Sequence, residues 1–383
     1  MSRQPSGPAV VRRAPGKLFV AGEYAVVEPG NPAILVAVDR HVSVTVSASG
    51  APGVVISSDL GPRPVRLRWC AGRLTGDGTH GAGQPSGRPV HVVSAIETVA
   101  ELLAEHGLPV PGLDVSIRSE LHEGGRKFGL GSSGAVTVAG VAAVAALCGL
   151  ELPARERFRL ALLATARIDP LASGGDLAAG VWGGWIAYQA PDRAFVLGLA
   201  RRRGIREALR APWPGFAVRR LPPPDGLSLE VGWTGKPAST GSLVSGLHRR
   251  DWRGTASHQK FVQTTTDIVR AAAGALEAGH GPDLMHQIRR ARQELARLDD
   301  EIGLGVFTAE LTALCEAAEC VGGAAKPSGA GGGDCGIALL DAAAPQDIAY
   351  VRRRWAAAGV LPLPVRASVE AVEAVEAVEG IGR

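Results

Sequence analysis

Lys127-Phe128-Gly129-Leu130-Gly131-Ser132-Ser133-Gly134 runs straight into Ala135–Leu150, an uncharged stretch whose apolar character only Thr137 interrupts. A glycine-dense loop that opens a helix has a particular physical use. The first helical turn carries N–H groups with no partner in the helix, and the positive end of the helix dipole lies there. Glycines let an anion approach closely, and the Ser132 and Ser133 hydroxyls can bind phosphate oxygens or a magnesium ion. The same letters also fit a plain strand-to-helix turn capped by serine. The segment matches G-x-G-x-x-G, but the preceding strand ends near Leu121 and a loop intervenes. The strand–turn–helix unit of a dinucleotide fold is therefore not formed. No G-x-x-x-x-G-K-[ST] occurs, since Gly235-Lys236 is followed by Pro237, and a P-loop kinase is excluded.

Outward from this loop, strand and helix periods alternate. Ile34–Val38 is a short apolar run, and Val42, Val44 and Val46 then alternate with polar residues as a half-buried strand. Gly72–Pro89 reads as a surface loop. Val92, Ile96, Val99 and Leu103 fall at helical spacing, with Gly107 placed to end that helix. Leu113, Val115 and Ile117 alternate as a strand, Pro153–Arg167 reads as a polar helix, and Trp182–Tyr188 as a strand. Pro212–Pro224 is turn-rich. Beyond it Leu227, Leu229, Val231 and Trp233 mark a strand. Leu284, Ile288, Ala291, Leu295 and Leu298 mark an amphipathic helix, and Leu311, Cys315, Ala318 and Val321 another. Ile337–Leu340 is a strand. The Val-Glu-Ala repeat of Val369–Glu379 has a period of three, which suits neither a regular helix nor a coiled coil, and reads as a marginal helix or loose tail.

The length, 383 residues, suits two domains better than one core. Mixed helix and strand in both halves gives an α+β (α/β two-layer) class. The boundary is expected near residue 190, giving domains 1–190 and 191–383 with a loose tail from about 367. A formal net charge of +4, from 41 basic and 37 acidic residues, is too even to argue for nucleic acid. Arg201, Arg202, Arg203 and Arg206 read as a solvated face. Five cysteines with no C-x-x-C suggest neither a disulfide framework nor zinc, and Cys148, Cys315 and Cys320 read as buried thiols in apolar helices. With no apolar signal core and no membrane-length segment, a cytoplasmic protein without a membrane partner is expected.

Three further clusters carry chemistry. Lys326-Pro327-Ser328-Gly329-Ala330-Gly331-Gly332-Gly333-Asp334-Cys335-Gly336 packs glycines more densely than a turn requires, which suits a backbone that approaches another loop or a phosphate. Asp334 there could equally cap the loop. Ala14-Pro15-Gly16-Lys17 places one lysine before a short strand, and Ala172-Ser173-Gly174-Gly175-Asp176 ends on one aspartate.

In chain order, Pro15-Gly16-Lys17 with Gly22-Glu23-Tyr24, then Gly129–Gly134, then Gly329–Asp334 resemble the three motifs of the GHMP kinases. This family includes galactokinase, homoserine kinase, mevalonate kinase and phosphomevalonate kinase. The resemblance spans roughly 14–340. Within the family, Gly22–Val27, Val38-Asp39-Arg40, Lys127–Gly129, Ser173–Asp176 and Gly232–Thr240 resemble the phosphomevalonate kinase branch. The resemblance implies two domains with the active site in the cleft between them. It also implies transfer of the ATP γ-phosphoryl group to 5-phosphomevalonate with Mg2+, by a monomer or homodimer. It casts Gly129, Leu130, Gly131, Ser132, Ser133 and Gly134 as holders of the ATP phosphates, with Ser133 the better metal ligand and Ser132 the second. Lys17 would bridge the transferred phosphoryl group and the acceptor, and Asp176 would act as base or orienting carboxylate. Tyr24, Lys127, Ser173, Gly174, Gly175, Lys236, Ser239 and Thr240 become substrate-binding candidates. Gly329, Gly331, Gly332 and Asp334 form the third-motif loop, and Val92–Ile96 would border the adenine pocket. One departure stands out: where relatives place a metal-binding glutamate about eleven residues before the aspartate, this chain has Ala164-Thr165-Ala166.

Overall fold

The computed structural model describes residues 9–59, 61, 63–76, 89–238, 243, 252–368, 371 and 373–375. A first sheet is built from β1 (Val10–Ala21), β2 (Pro32–Ser49), β3 (Val54–Ser58), β4 (Val65–Cys70), β5 (Arg73–Gly76) and β6 (Gly112–Ser119). The short hairpin β7 (His122–Glu123) and β8 (Arg126–Lys127) stands apart, and β9 (Trp185–Gln189) and β10 (Ala217–Leu221) return to the sheet. The order is β10-β9-β2-β6-β3-β4-β5, with β1 along the other edge of β2. The long strand β2 is the axis. Its Pro32–Val36 half pairs with β9 and its Val42–Ser49 half with β6.

The burial of β2 follows its letters. Ala33–Val38 is buried on both faces, as a continuous apolar run should be. From Val42 onward buried residues alternate with half-buried ones, as the period of two demands. Helices α1 (Val90–Glu105), α2 (Ser132–Leu147), α3 (Ala154–Ile168) and α4 (Gly175–Trp182) pack together, and α2 and α4 lie on β1 and β2. Helix α2 is buried nearly all round, which is why it shows no amphipathic stripe. Helix α3 departs from its reading as polar: Phe158–Ala166 is buried throughout, including Arg159, which donates to Leu209 O, and the other charges sit toward its ends. Two short helices, α5 (Arg193–Arg203) and α6 (Ile205–Arg210), follow, with Arg201, Arg202, Arg203 and Arg206 exposed as expected.

The second sheet is antiparallel, ordered β12-β13-β11-β14, from β11 (Leu227–Trp233), β12 (Ala324–Pro327), β13 (Cys335–Asp341) and β14 (Leu361–Leu363). Helices α7 (Ala256–Glu277) and α8 (Gly281–Ile302) pair with each other. Helix α7 also lies on β2, and α8 on β12, so the pair joins the two sheets. Helices α9 (Ala309–Glu319) and α10 (Pro345–Ala357) cover the second sheet.

Several details depart from the sequence expectation. The first sheet continues beyond residue 190, because the turn-rich stretch Pro212–Pro224 contains β10, which pairs with β9 over its full length. The sheets part between Leu221 and Leu227. The tail is not wholly loose: Ala367 bridges Val38, and Glu373–Val375, as β15, pairs with Val11–Arg13. The outer edge of β1 offers unpaired N–H and C=O groups that an extended segment can satisfy. Cys315 is buried, but Cys148 is half-buried at the end of α2 and Cys320 is exposed just past α9, because each lies where its helix ends. Among the described residues no helix is long and apolar enough to cross a membrane.

Candidate active site

Two side chains meet over the second glycine loop. Gly131 is the N-cap of α2 in the left-handed conformation. A Cβ placed on it would stand 3.0 Å from Lys17 Cε and 3.4 Å from Asp176 Cβ. Lys17 comes from β1, whose N–H at that residue donates to Leu130 O at 2.8 Å, tying strand to loop. The Lys17 ammonium donates to Gly129 O at 3.4 Å and lies 5.3 Å from the Phe19 ring centre. Its side chain is almost wholly buried. Asp176 enters from the first turn of α4. A Cβ on Gly134 would stand 2.4 Å from Asp176 Cγ and Oδ2, so the glycine is required by the carboxylate's position. One cation and one carboxylate thus flank the positive end of α2, where orphan N–H groups collect.

The third loop closes on the second. A Cβ on Gly129, whose φ is +79°, would fall 2.4 Å from Asp334 Cβ. The Asp334 carboxylate accepts from Ala238 N–H at 3.0 Å, and its backbone bonds Thr234 and Lys236. It therefore holds the Thr234–Ala238 turn against the glycine loop, which is a capping role by geometry. Burial lifts its carboxyl above the ordinary range, against the pull of Ala238 N–H, Lys17 and Lys127.

A buried pair, Lys326 with Glu23, joins the third loop to the first. Glu23 also accepts from Gly329 N–H at 3.3 Å, and Ser328 bonds both backbone groups of Phe19. Tyr24, a substrate candidate, is tied to the third loop. Its ring is buried beside Trp252 and Phe261, and its hydroxyl donates to Ala330 O at 2.5 Å. The hydroxyl is held on the third loop because a buried phenol needs an acceptor close by.

The substrate candidates divide. Ser173 Oγ accepts from Gly175 N–H at 3.3 Å and its carbonyl accepts from Tyr188 Oη at 2.6 Å, which shapes the turn before Asp176. Gly174, with φ +77°, lies against Leu162 and Tyr188. Lys127 is exposed at the end of β8, and its charge reaches Asp334. Lys236 is turned away onto Glu310 of α9, whose carboxyl that ion pair pulls down to about 2. Ser239 and Thr240 lie outside the described residues. In the third loop Gly331 packs against Val306 and Gly332 against Leu243 and Gly305, while Gly329 faces open space. Beside α1 a cavity of about 210 Å³ is lined by Leu67, Leu74, Val90, Val93, Ser94 and Ile168, among others. Val92 and Ile96 point into the core instead, since helical period turns them inward.

The sequence reading missed the Glu23–Lys326 pair, because both residues sit inside quoted motifs without a sign that they meet. It also missed His91, at the start of α1. Its Nδ1 is buried with no hydrogen-bond partner, and burial lowers its pKa against the opposing charge of Asp176. For a divalent cation, no group of three His, Cys, Asp or Glu occurs among the described residues. Ser132 and Ser133, in the first turn of α2, and Asp176, packed on Gly134, are hard oxygen donors that suit magnesium beside nucleotide phosphates. Thr165, at the place of the missing glutamate, is buried and its Oγ1 lacks a hydrogen-bond partner.

Comparison with known proteins gives the kinship of this architecture. The model of the GHMP kinases N terminal domain matches residues 91–184, and that of the GHMP kinases C terminal domain matches residues 272–357. A phosphomevalonate kinase from Streptomyces sp. (strain CL190) is 70% identical, over 95% of this chain and 98% of its own length. The chain belongs to the GHMP kinase family. A mevalonate kinase of Pyrococcus horikoshii is 26% identical to this GHMP kinase over 95% of the chain and 97% of its own. Among solved structures, Streptococcus pneumoniae phosphomevalonate kinase in complex with phosphomevalonate and AMPPNP is 28% identical with a TM-score of 0.79. That likeness covers 94% of this chain and 99% of that one. A Lin0012 protein from Listeria innocua is 31% identical with a TM-score of 0.85, covering 96% and 100%.

Proposed function

We propose that this GHMP kinase transfers the γ-phosphoryl group of ATP to the phosphate of 5-phosphomevalonate, giving 5-diphosphomevalonate and ADP. The observation that carries the reading is the meeting of Lys17 and Asp176 over Gly131 at the N-terminus of α2. The likeness to the Streptomyces phosphomevalonate kinase supports the choice of acceptor. An acceptor phosphate oxygen attacks Pγ, a new P–O bond forms, and the bond from Pγ to the β,γ-bridging oxygen breaks. The electron pair leaves with ADP.

Most of the work in such a transfer is positioning and neutralising charge. Gly129–Gly134 present backbone N–H groups and the α2 dipole to the ATP phosphates. The family resemblance would seat the nucleobase beside α1, where the cavity mixes Leu67, Leu74 and Val93 with Arg73, Glu97 and Arg167. Lys17 spans the transferred phosphoryl group and the acceptor oxygen. The acceptor phosphate is already ionised near neutral pH, so Asp176 serves to hold Lys17 and the reacting groups in line instead of removing a proton. Ser132, Ser133 and Asp176 would hold magnesium, which when bound supplies further neutralisation of phosphate charge. Lys127 and the Ser173–Gly175 turn border the acceptor.

The test is 31P NMR of the product made from ATP and 5-phosphomevalonate. A new pair of mutually coupled resonances of a diphosphate monoester is expected. An unchanged monoester signal would refute the reading.

A further inference from the structure

The strand β2 changes partner between its two halves, and at that place it carries two residues that β1 does not match. Gly16 faces Val38 and Pro15 faces His41, so Asp39 and Arg40 form a bulge. Bulges re-aim side chains. Asp39 is turned outward: it is exposed and accepts from Arg366 N–H at 2.8 Å. Arg40 takes the opposite course, and its guanidinium lies 4.9 Å from the ring centre of Phe128. Phe128 sits inside the second motif, between Lys127 and Gly129.

The charge of Arg40 is felt inside the site. Cys335 follows Asp334 in the third loop, and its buried thiol donates to Phe128 O at 2.9 Å. Burial pushes that thiol above its ordinary range, Asp334 pushes the same way, and Lys17 and Arg40 oppose both. Lys17 and Arg40 therefore both act on the same point beside the glycine loop. Unlike Lys236, which Glu310 holds, Arg40 has no carboxylate partner among the described residues. A guanidinium stacked on an aromatic face keeps its in-plane N–H groups for an anion, and their fork matches carboxylate or phosphate oxygens. A partly buried cation with no carboxylate, placed beside a phosphoryl-transfer loop, calls for an anion from the ligand.

We propose that Arg40 binds an anionic group of the acceptor and so selects an acceptor that carries two anionic ends. This deepens the proposed function and rests on it. Lys17 faces the phosphoryl group in flight, Arg40 the acceptor's own charge, and Phe128 fixes the guanidinium plane between them.

The experiment is steady-state kinetics on Arg40→Met and Arg40→Lys, with KM measured separately for 5-phosphomevalonate and for ATP. Loss of a charge-assisted hydrogen bond predicts a rise in acceptor KM of roughly ten- to a hundredfold in Arg40→Met. The ATP KM should stay near that of the native protein, and Arg40→Lys should recover part of the loss. A decarboxylated analogue that keeps the phosphate assigns the end. If Arg40→Met loses as much with the analogue, the bound group is the phosphate; if the penalty disappears, it is the carboxylate. An unchanged acceptor KM in Arg40→Met overturns the proposal. So does a parallel loss for both substrates with a lowered melting temperature, which would make Arg40 only a prop for Phe128. Should Arg40→Met not fold, the same split in Arg40→Lys decides. A native protein that releases no ADP with 5-phosphomevalonate would instead overturn the proposed function, and this inference with it.

Discussion

Two glycines in α2, six residues apart, have opposite reasons to be small. At Gly134 the place of a side chain is taken by the Asp176 carboxylate, while a Cβ on Gly140 would meet only Ala95 Cβ at 3.7 Å. Gly134→Ala should push Asp176 off the loop and lower kcat by roughly ten- to a hundredfold, the size expected when a reacting constellation is misplaced by about 1 Å. Gly140→Ala should leave kcat unchanged and raise stability by about 0.5–1 kcal/mol through helix propensity. Activity assays and thermal melts on the two variants, side by side, check both expectations. Lys17→Met should retain the fold and lower kcat by roughly a hundred- to a thousandfold, since it removes a preorganised charge from the transferred group. The three ordered motifs were legible in the letters because glycine, serine, lysine and aspartate carry their chemistry at short range. Arg40 was in view only as part of a motif and His91 not at all, since what matters about each is the group that it faces across the fold.

Among the elements, the turn after β1 and the strand β12 are locked by one buried pair, Glu23 with Lys326. Removing one member leaves the other charged without compensation, at a cost of about 3–5 kcal/mol. Glu23→Met and Lys326→Met should each destabilise the protein by that order, and the double variant by much less than their sum. A double-mutant cycle in urea measures the coupling, and additive losses would contradict it. Strands with a clean period, such as Val42–Val46 and Leu113–Ile117, and the helix that opens at the glycine loop were readable from the sequence. Helix α7 and strand β10 were not. The former buries His258, Thr265 and Thr266 on its packed face beside Phe261, Ile268 and Val269, so the face is not written in apolar letters alone, and the latter is hidden between prolines. Helix α3 was readable in its place but its burial was not, because Arg155, Glu156, Arg157, Arg159 and Arg167 outweigh its apolar residues in the letters.

At the scale of the whole molecule, loop contacts join the two sheets beside the helices: Asp334 packs on Gly129, and Ser328 bonds the backbone of Phe19. The Thr234–Ala238 turn is held by Asp334 on one side and, through Lys236, by Glu310 on the other. The Glu310 carboxyl is pulled down to about 2, so its stabilising effect is full above the ordinary carboxylate range and is lost as pH falls toward 2. The melting-temperature difference between the native protein and Lys236→Met should therefore be small but measurable at neutral pH and fade with acid. A constant difference across that range would contradict the link. That both halves mix helix and strand was readable from periodicity, but the extension of the first sheet past residue 190 was not. Nor was the return of Glu373–Val375 to β1, because strand partners far apart in sequence leave no local mark.

The central claim, that this site phosphorylates a phosphate, is tested most directly by ADP release from ATP and magnesium with three acceptors offered separately: mevalonate, 5-phosphomevalonate and 5-diphosphomevalonate. The account predicts ADP only with 5-phosphomevalonate, together with a product heavier by one phosphoryl group. ADP with mevalonate alone, or with none of the three, would contradict it.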